Sequence, residues 1–294
     1  MRSAFALLAL AQIAIGAAAI FARFALTGGG PVAVSALRLL IAAVPLTLLA
    51  ARRGLYRRRD PATERQLAWA GLALAAHFAC WIASLRLASV AVSTLLVCTT
   101  PIWTETFAVA RSRRVRLDVL ASILCALAGV AIVIGAPQRN ETPLGIGLAL
   151  AGAMAMAVYL LLVRASDPRY GTLAVVARTY PAAALVLSVA TLVLHDPIPL
   201  PGASGAWIGI IAMALVSQLF GHTALNAAVR RLSPTLVATV TLIEPVIAGI
   251  LAAIVFGERL APRTLGGAVV VLGAIALALR IEPRTAAGVS ASVD

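Results

Sequence analysis

The sequence contains no lysine: all 24 of its basic residues, in a chain of 294, are arginine. That absence removes two chemistries. A Walker-type phosphate loop needs a lysine to reach the phosphates, so ATP hydrolysis by that route is excluded. Schiff-base catalysis needs a lysine amine and goes with it. Acidic residues are also few, 11 Asp plus Glu, and charged residues make up only 12% of the chain. A water-soluble domain of this length needs far more polar surface to cover its core. The three cysteines, Cys80, Cys98 and Cys125, fall inside apolar runs without ligand-like spacing. Neither a disulfide framework nor a metal site is expected, and no cofactor is anticipated. They read as small, polarizable packing residues. HExxH, GxSxG and paired-cysteine motifs are missing. So is period-2 alternation, which argues against an outer-membrane barrel.

What is present is apolar. Hydrophobic residues make up 62% of the chain and the mean hydropathy is +1.00. A bilayer-spanning helix needs about 20 apolar residues, and blocks of that length run roughly over 4–22, 32–50, 67–85, 90–110, 118–136, 144–163, 172–194, 205–227, 235–256 and 264–280. The expected fold is therefore an all-α integral membrane protein of ten transmembrane helices. Arg2 followed by an apolar run and Ala17-Ala18-Ala19 resembles a secretory signal. Only a short spacer and another apolar block follow it, so an uncleaved first helix is expected instead.

A net charge of +13 would suggest nucleic acid in a soluble protein. Here the arginines segregate by loop. One face collects Arg2, Arg52, Arg53, Arg57, Arg58, Arg59, Arg65, Arg111, Arg113, Arg114, Arg116, Arg164, Arg169, Arg230, Arg231, Arg280 and Arg284, which is 17. The opposite loops hold five, Arg23, Arg86, Arg139, Arg259 and Arg263. The positive-inside rule then puts both termini in the cytoplasm, and no nucleic-acid partner is expected.

The chain also repeats. Leu85 to Ile134 reads again from Val229 to Ala278, 144 residues later, without a gap. Arg86 maps onto Arg230, Ser89 onto Ser233, Pro101 onto Pro245 and Gly129 onto Gly273. The ten blocks divide five and five at the loop from Pro137 to Pro143. This gives a first repeat over 1–136, a second over 144–281 and a small polar tail over 282–294 expected to lack fixed structure. Five is odd, so the second half enters the bilayer from the opposite side and the repeats are inverted. That arrangement supplies a route to alternating access. Small residues, namely Ala121, Cys125 and Gly129 in block five and Gly266, Gly273 and Ala276 in block ten, are expected to pack helix against helix.

Ionisable groups inside the bilayer are costly and mark pathways by default. Glu244 sits mid-block before Pro245, and Glu105 one turn past Pro101. His77 and His222 occupy corresponding helices one residue off register, and Trp81 is one turn from His77. Helical spacing puts Gln218, His222 and Asn226 on one stripe. Arg38 and Arg178 also lie in apolar runs, where each could pair a substrate carboxylate or one of the Glu residues, or snorkel to the interface. Thr99, Thr100 and Thr104 surround Pro101, placed to repair freed carbonyls or line a cavity. Tyr159 and Gln12 are weaker candidates by the same logic. Pro101 and Pro245 are expected to kink their helices.

The stretch Glu244-Pro245-Val246 through Phe256-Gly257-Glu258-Arg259-Leu260, with Leu265-Gly266-Gly267 and Gly273, resembles the C-terminal half of an EamA-type repeat of the drug/metabolite transporter superfamily. Pro31 through Arg38 with Leu39-Leu40 is similar to the second helix of the first repeat. The resemblance covers about the whole chain. It departs at Arg113-Arg114, which stand where the second half has Gly257-Glu258. It implies a bacterial inner-membrane carrier with a central cavity between inverted halves, lined largely by helices three, four, eight and nine, exporting amino acids, related metabolites or drugs, with some members importing. The expected partners are a small-molecule substrate, membrane lipid and protons, in a monomer or homodimer. Transport is set against a membrane-embedded enzyme, for which no nucleophile–base pair appears, and against a receptor-like protein, for which no partner-binding loop is long enough. No catalytic residue is assigned.

Overall fold

The computed structural model describes residues 2–57, 60–88, 90–134, 142–256 and 262–290. All regular structure among them is helical. The helices are α1 (Arg2–Gly16), α2 (Ala18–Ala25), α3 (Pro31–Arg52), α4 (Pro61–Leu87), α5 (Val90–Val97), α6 (Thr100–Ser112), α7 (Leu117–Ile134), α8 (Pro143–Ala165) and α9 (Thr172–Val193). They continue with α10 (Ser204–Ala212), a π-helical segment (Met213–His222), α11 (Thr223–Val229), α12 (Pro234–Val240), a 3₁₀ turn (Thr241–Ile243), α13 (Glu244–Phe256) and α14 (Pro262–Ser290). Among the described residues, seven stretches are long and apolar enough to cross a membrane, and Leu117–Val133 and Leu265–Ile281 form shorter apolar helices. The block expected over 90–110 is divided into α5 and α6. The Gly257-Glu258 signature, Ser89 and the loop around Gln138 lie outside the described residues. The last helix runs to Ser290, so the backbone stays helical where composition suggested an unstructured tail; Thr285-Ala286-Ala287 offers the helix a good former in each alanine.

Local chemistry explains the ends. Pro31, Pro61, Pro143 and Pro234 open α3, α4, α8 and α12, because the missing N–H of proline would be unpaired in the first turn anyway. Asp60 caps α4 by accepting from the Thr63 amide (2.9 Å) and hydroxyl (2.6 Å), and these bonds hold its carboxyl below the usual range. Thr142 caps α8 by accepting from Gly145 N, and Ser233 caps α12 by accepting from Leu236 N. Pro181 lies inside α9 and cannot bond the carbonyl one turn back; the Tyr56 hydroxyl donates to that oxygen, Ala177 O, at 2.9 Å.

The 144-residue offset survives in three dimensions. Val90 and Thr100, which begin α5 and α6, map onto Pro234 and Glu244, which begin α12 and α13. The gap at Cys98–Thr99 maps onto Leu242–Ile243, the end of the 3₁₀ turn. Helices from one half pack mainly on the other: α4 on α8, α1 on the π segment and α11, α3 on α9, α6 on α12, and α7 on α14.

The α7–α14 contact corrects one expectation. A side chain at Gly266 or Gly273 would meet open space, and Cys125 is exposed. The expected Gly129 does make the close approach, but its partner on α14 is Gly267: a Cβ at Gly267 would lie 2.7 Å from Gly129 O and from Val133 N. The packed stripe of α14 is Gly267, Val271, Ala274 and Ala278, at the i, i+4, i+7 and i+11 spacing of one helix face. The row through Gly273 faces outward. Gly267→Val is therefore expected to destabilise the bundle by about 1–3 kcal/mol through overpacking. Gly266→Val, its neighbour in open space, should stay within about 0.5 kcal/mol. Thermal unfolding of both variants in detergent checks the contrast.

Candidate functional site

Four interruptions of helical structure converge. α1 breaks from α2 at Ala17, α5 from α6 at Cys98–Thr99, the π segment interrupts the eighth apolar block, and the 3₁₀ turn interrupts the ninth. Each supplies lining to one central cavity: Gly16, Ala18 and Ala19; Thr94, Cys98 and Thr100; His222; Thr241 and Glu244. Helices α4 and α8 close it with His77, Trp81, Met156 and Leu160. The volume open to the centres of water molecules is about 60 Å³, room for a few waters at about 10–15 Å³ each.

Proline explains two of the breaks. Pro101 and Pro245 each occupy the second residue of a new helix, α6 and α13, and they start segments where a kink within one helix was expected. Proline disfavours helical geometry in the residue before it and leaves the carbonyl four residues back unpaired. That carbonyl is Val97 O for Pro101. The Thr100 hydroxyl donates to it at 2.9 Å and lies 3.3 Å from Ala153 O on α8. Thr99 also donates to Leu96 O (2.6 Å), Thr104 to Pro101 O (3.0 Å), and Thr241 to Ala238 O (2.7 Å). Thr100 thus both mends the helix and lines the cavity.

The cavity is polar on one wall. His77 Nδ1 donates to Gly152 O at 2.9 Å, since a carbonyl can only accept, which leaves Nε2 of the neutral ring as an acceptor. The His77 ring stacks on Trp81 at 6.2 Å between centroids. His222 is 4% exposed; its Nδ1 and the indole Nε1 of Trp81 have no hydrogen-bond partner among the described residues. Glu244, half-buried, begins α13 at the positive end of that helix.

The other candidates lie elsewhere, each for a stated reason. Glu105 pairs with Arg116, whose Nε lies 3.0 Å from Oε1, and accepts from Thr235 of α12 at 3.3 Å. Arg178 donates to Glu64 at 2.8 and 3.0 Å, to Ala174 O and to Leu55 O, and lies over Tyr56 and Tyr170. Both therefore sit in clasps at the end of the bundle that carries the arginine-rich loops. The Gln218–His222–Asn226 stripe does not face one cavity. The π winding of Met213–His222 uses i→i+5 bonds and turns residues four apart off one line. Gln218 accepts from Arg38 at 2.8 Å, His222 meets the cavity, and Asn226 accepts from the Tyr159 hydroxyl at 2.7 Å while donating to His222 O at 2.7 Å. Arg38 is fully buried, its guanidinium 4.1 Å from the centre of the Phe78 ring, which in turn meets His222 edge-on at 5.3 Å. These groups form a layer behind the cavity wall.

Six lining residues on α1, α2 and α8, Ile15, Gly16, Ala18, Ala19, Met156 and Leu160, were absent from the sequence-level candidates. Gly16-Ala17-Ala18-Ala19 did carry a signal, the run that imitates a signal-peptide cleavage site. Such small residues suit a break where neighbouring backbones come close.

The EamA-like transporter family profile matches this chain twice, over residues 2–135 and 143–280. An uncharacterized protein of Pseudomonas aeruginosa is 31% identical over 284 residues, which cover 95% of each chain. A solved crystal structure aligns with a TM-score of 0.80 at 20% identity, covering 97% of this chain and 99% of its own; that likeness speaks for the fold.

The layer behind the wall yields a stability test. Tyr159→Phe deletes the donor to the buried Asn226 oxygen and should cost about 1–2 kcal/mol, as for an orphaned buried acceptor. The cavity lining is left unchanged. Thermal unfolding of the purified variant measures the loss.

Proposed function

Because the chain belongs to the EamA-like transporter family, we propose that it is a secondary active transporter working by alternating access around the central cavity. One observation carries the reading: four helix interruptions converge on one central cavity, which His222 and Trp81 line with groups unpartnered among the described residues. Backbone irregularity at bilayer depth is tolerated where it lines a cavity. A bundle built only for stability has no use for it.

In this reading the ten apolar blocks span the inner membrane as two inverted five-helix repeats, with both termini cytoplasmic. Two observations support it: the matched helix starts at an offset of 144, and the cross-half packing, in which block one meets block eight as block six meets block three. Exchange of the two halves' conformations would move the cavity's opening from one side to the other. Glu244 is the protonatable group, placed at a helix start where its charge is favoured by the dipole and opposed by burial. His222 Nδ1, His77 Nε2 and the Trp81 indole contact the substrate, and Thr100 adds a hydroxyl. Glu105 and Arg178 hold the cytoplasmic end, and Arg38, Gln218, Asn226 and Tyr159 support the wall. The direction is export of a small amino-acid-like metabolite or drug, driven by proton exchange.

Flux through proteoliposomes containing only this chain is the test, with efflux of amino acids and drugs screened by mass spectrometry. Glu244→Gln should lower flux about tenfold or more, and Glu105→Gln should leave it within about twofold. Flux indifferent to collapse of the proton gradient would remove the coupling claim, and full activity in Glu244→Gln the role of that carboxylate.

A further inference from the structure

One buried cation has no counter-charge beside it. Arg38 lies about 10 Å along α3 from Pro31, at 1.5 Å per residue, and exposes no surface. It makes a single hydrogen bond, from Nη2 to Gln218 Oε1, an oxygen of a neutral amide. Its Nε and Nη1 have no hydrogen-bond partner among the described residues. Carboxylates are spent elsewhere. Among the described acidic side chains, Glu64, Glu105 and Asp167 pair with other arginines, and Asp60, Asp118 and Asp196 accept from amides at helix starts. Glu244 lines the central cavity, and no ion pair joins it to Arg38. A charge left unpaired inside a bundle is kept against stability.

The cavity is what that charge faces. The Phe78 ring stands between, its centre 4.1 Å from the guanidinium carbon and 5.3 Å from the centre of the His222 ring. The guanidinium is thus within about 9.5 Å of a ring that lines the cavity. Phe78 is fully buried. It blocks contact but does not screen a field as water and salt do. At an effective dielectric constant of about 20, a unit charge at that distance changes the binding of a singly charged group about twentyfold. The sign favours an anion. No contact with the closed-off guanidinium is required.

We infer that Arg38 sets the sign of the central cavity, and that the transported molecule carries a carboxylate which sits at the His222 wall and serves as the missing counter-charge. Glu244 is then left to alternate between a proton and the substrate's amine, as proton exchange requires. The inference rests on the transport reading and narrows its substrates to molecules with an anionic group. Neutral and purely cationic drugs fall outside it.

Cys98 lines the cavity and can report its sign. In the full chain carrying Cys80→Ser, Cys125→Ser and Glu244→Gln, it is the one thiol and the cavity lining keeps no carboxylate. This parent protein, in lipid nanodiscs at pH 8, is treated with anionic sulfonatoethyl methanethiosulfonate or its cationic trimethylammonium analogue, and mass spectrometry follows each rate. The ratio of the two rates, referred to the same ratio for 2-mercaptoethanol, cancels the thiolate fraction of Cys98. The anionic reagent is expected to be favoured about tenfold or more. Arg38→Lys, which keeps the charge, should retain that preference. Arg38→Gln should abolish it, and so should Arg38→Met with Gln218→Leu, a neutral variant that also removes the hydrogen-bond partner. The parent ratio decides the sign whether or not the neutral variants fold. A ratio at or below that of the free thiol, or a Cys98 that the anionic reagent never reaches, overturns the proposal. So does a preference that survives loss of the Arg38 charge. Neither reagent needs flux: an anion preference in a chain that transports nothing overturns only the transport reading, and flux without the preference only this one.

Discussion

Hydrocarbon offers a peptide group no hydrogen-bond partner, and the architecture follows from that constraint. An unbroken helix meets it residue by residue; every break must be repaired from nearby or opened onto a polar space. The chain uses both answers. Hydroxyls of Thr99, Thr100, Thr104 and Thr241 take carbonyls at the two proline-led breaks, and a tyrosine from the α3–α4 linker takes the one freed by Pro181. The remaining irregularity, at Ala17 and at the His222 end of the π segment, adjoins the same cavity. The cavity and the breaks are thus one feature. Straightening α6 or α13 into its predecessor would remove both the unpaired backbone and the space it needs.

Duplication built the frame without building the site. The starts of α5, α6, α12 and α13 keep the offset to the residue. Yet the residue that opens α6 is a threonine and the one that opens α13 a glutamate, at corresponding positions in the cavity wall. One repeat spends that position on helix repair, the other on a carboxylate. His77 and His222 diverge in the same way: one gives its Nδ1 proton to a backbone carbonyl, the other leaves Nδ1 unused. Two copies with identical linings would present the same groups twice to the cavity; these two present different ones.

The all-helical, duplicated frame was legible from apolar block length and from a single offset, because span length and proline position are local properties. The choice among polar residues was less so. Glu244, His77, His222, Trp81 and Thr100 do meet at one cavity. Glu105 and Arg178 carry the same sequence signal, a charge in an apolar run, but each has a partner near a helix end, Arg116 in the loop before α7 and Glu64 in the first turn of α4, that no periodicity reveals. The polar stripe from Gln218 to Asn226 failed for a geometric reason: π winding changes the angular step, and nothing in the local composition announces it. The glycine row of α14 failed because both faces carry small residues, and only the neighbour decides which one is packed.

That contrast also says which buried groups call for a function. The fold can pair a membrane charge when pairing is all that is needed: Glu105 has an arginine and a threonine, and Glu64 has Arg178 under two tyrosines. Phenylalanine at position 222 would remove the desolvation cost of the ring nitrogens outright. His222 instead keeps an Nδ1 without a partner among the described residues, and so does the indole Nε1 of Trp81, on two residues that line the same central cavity. Buried polar groups left unpaired where four helix breaks converge set that place apart from the paired charges at the arginine-rich end of the bundle.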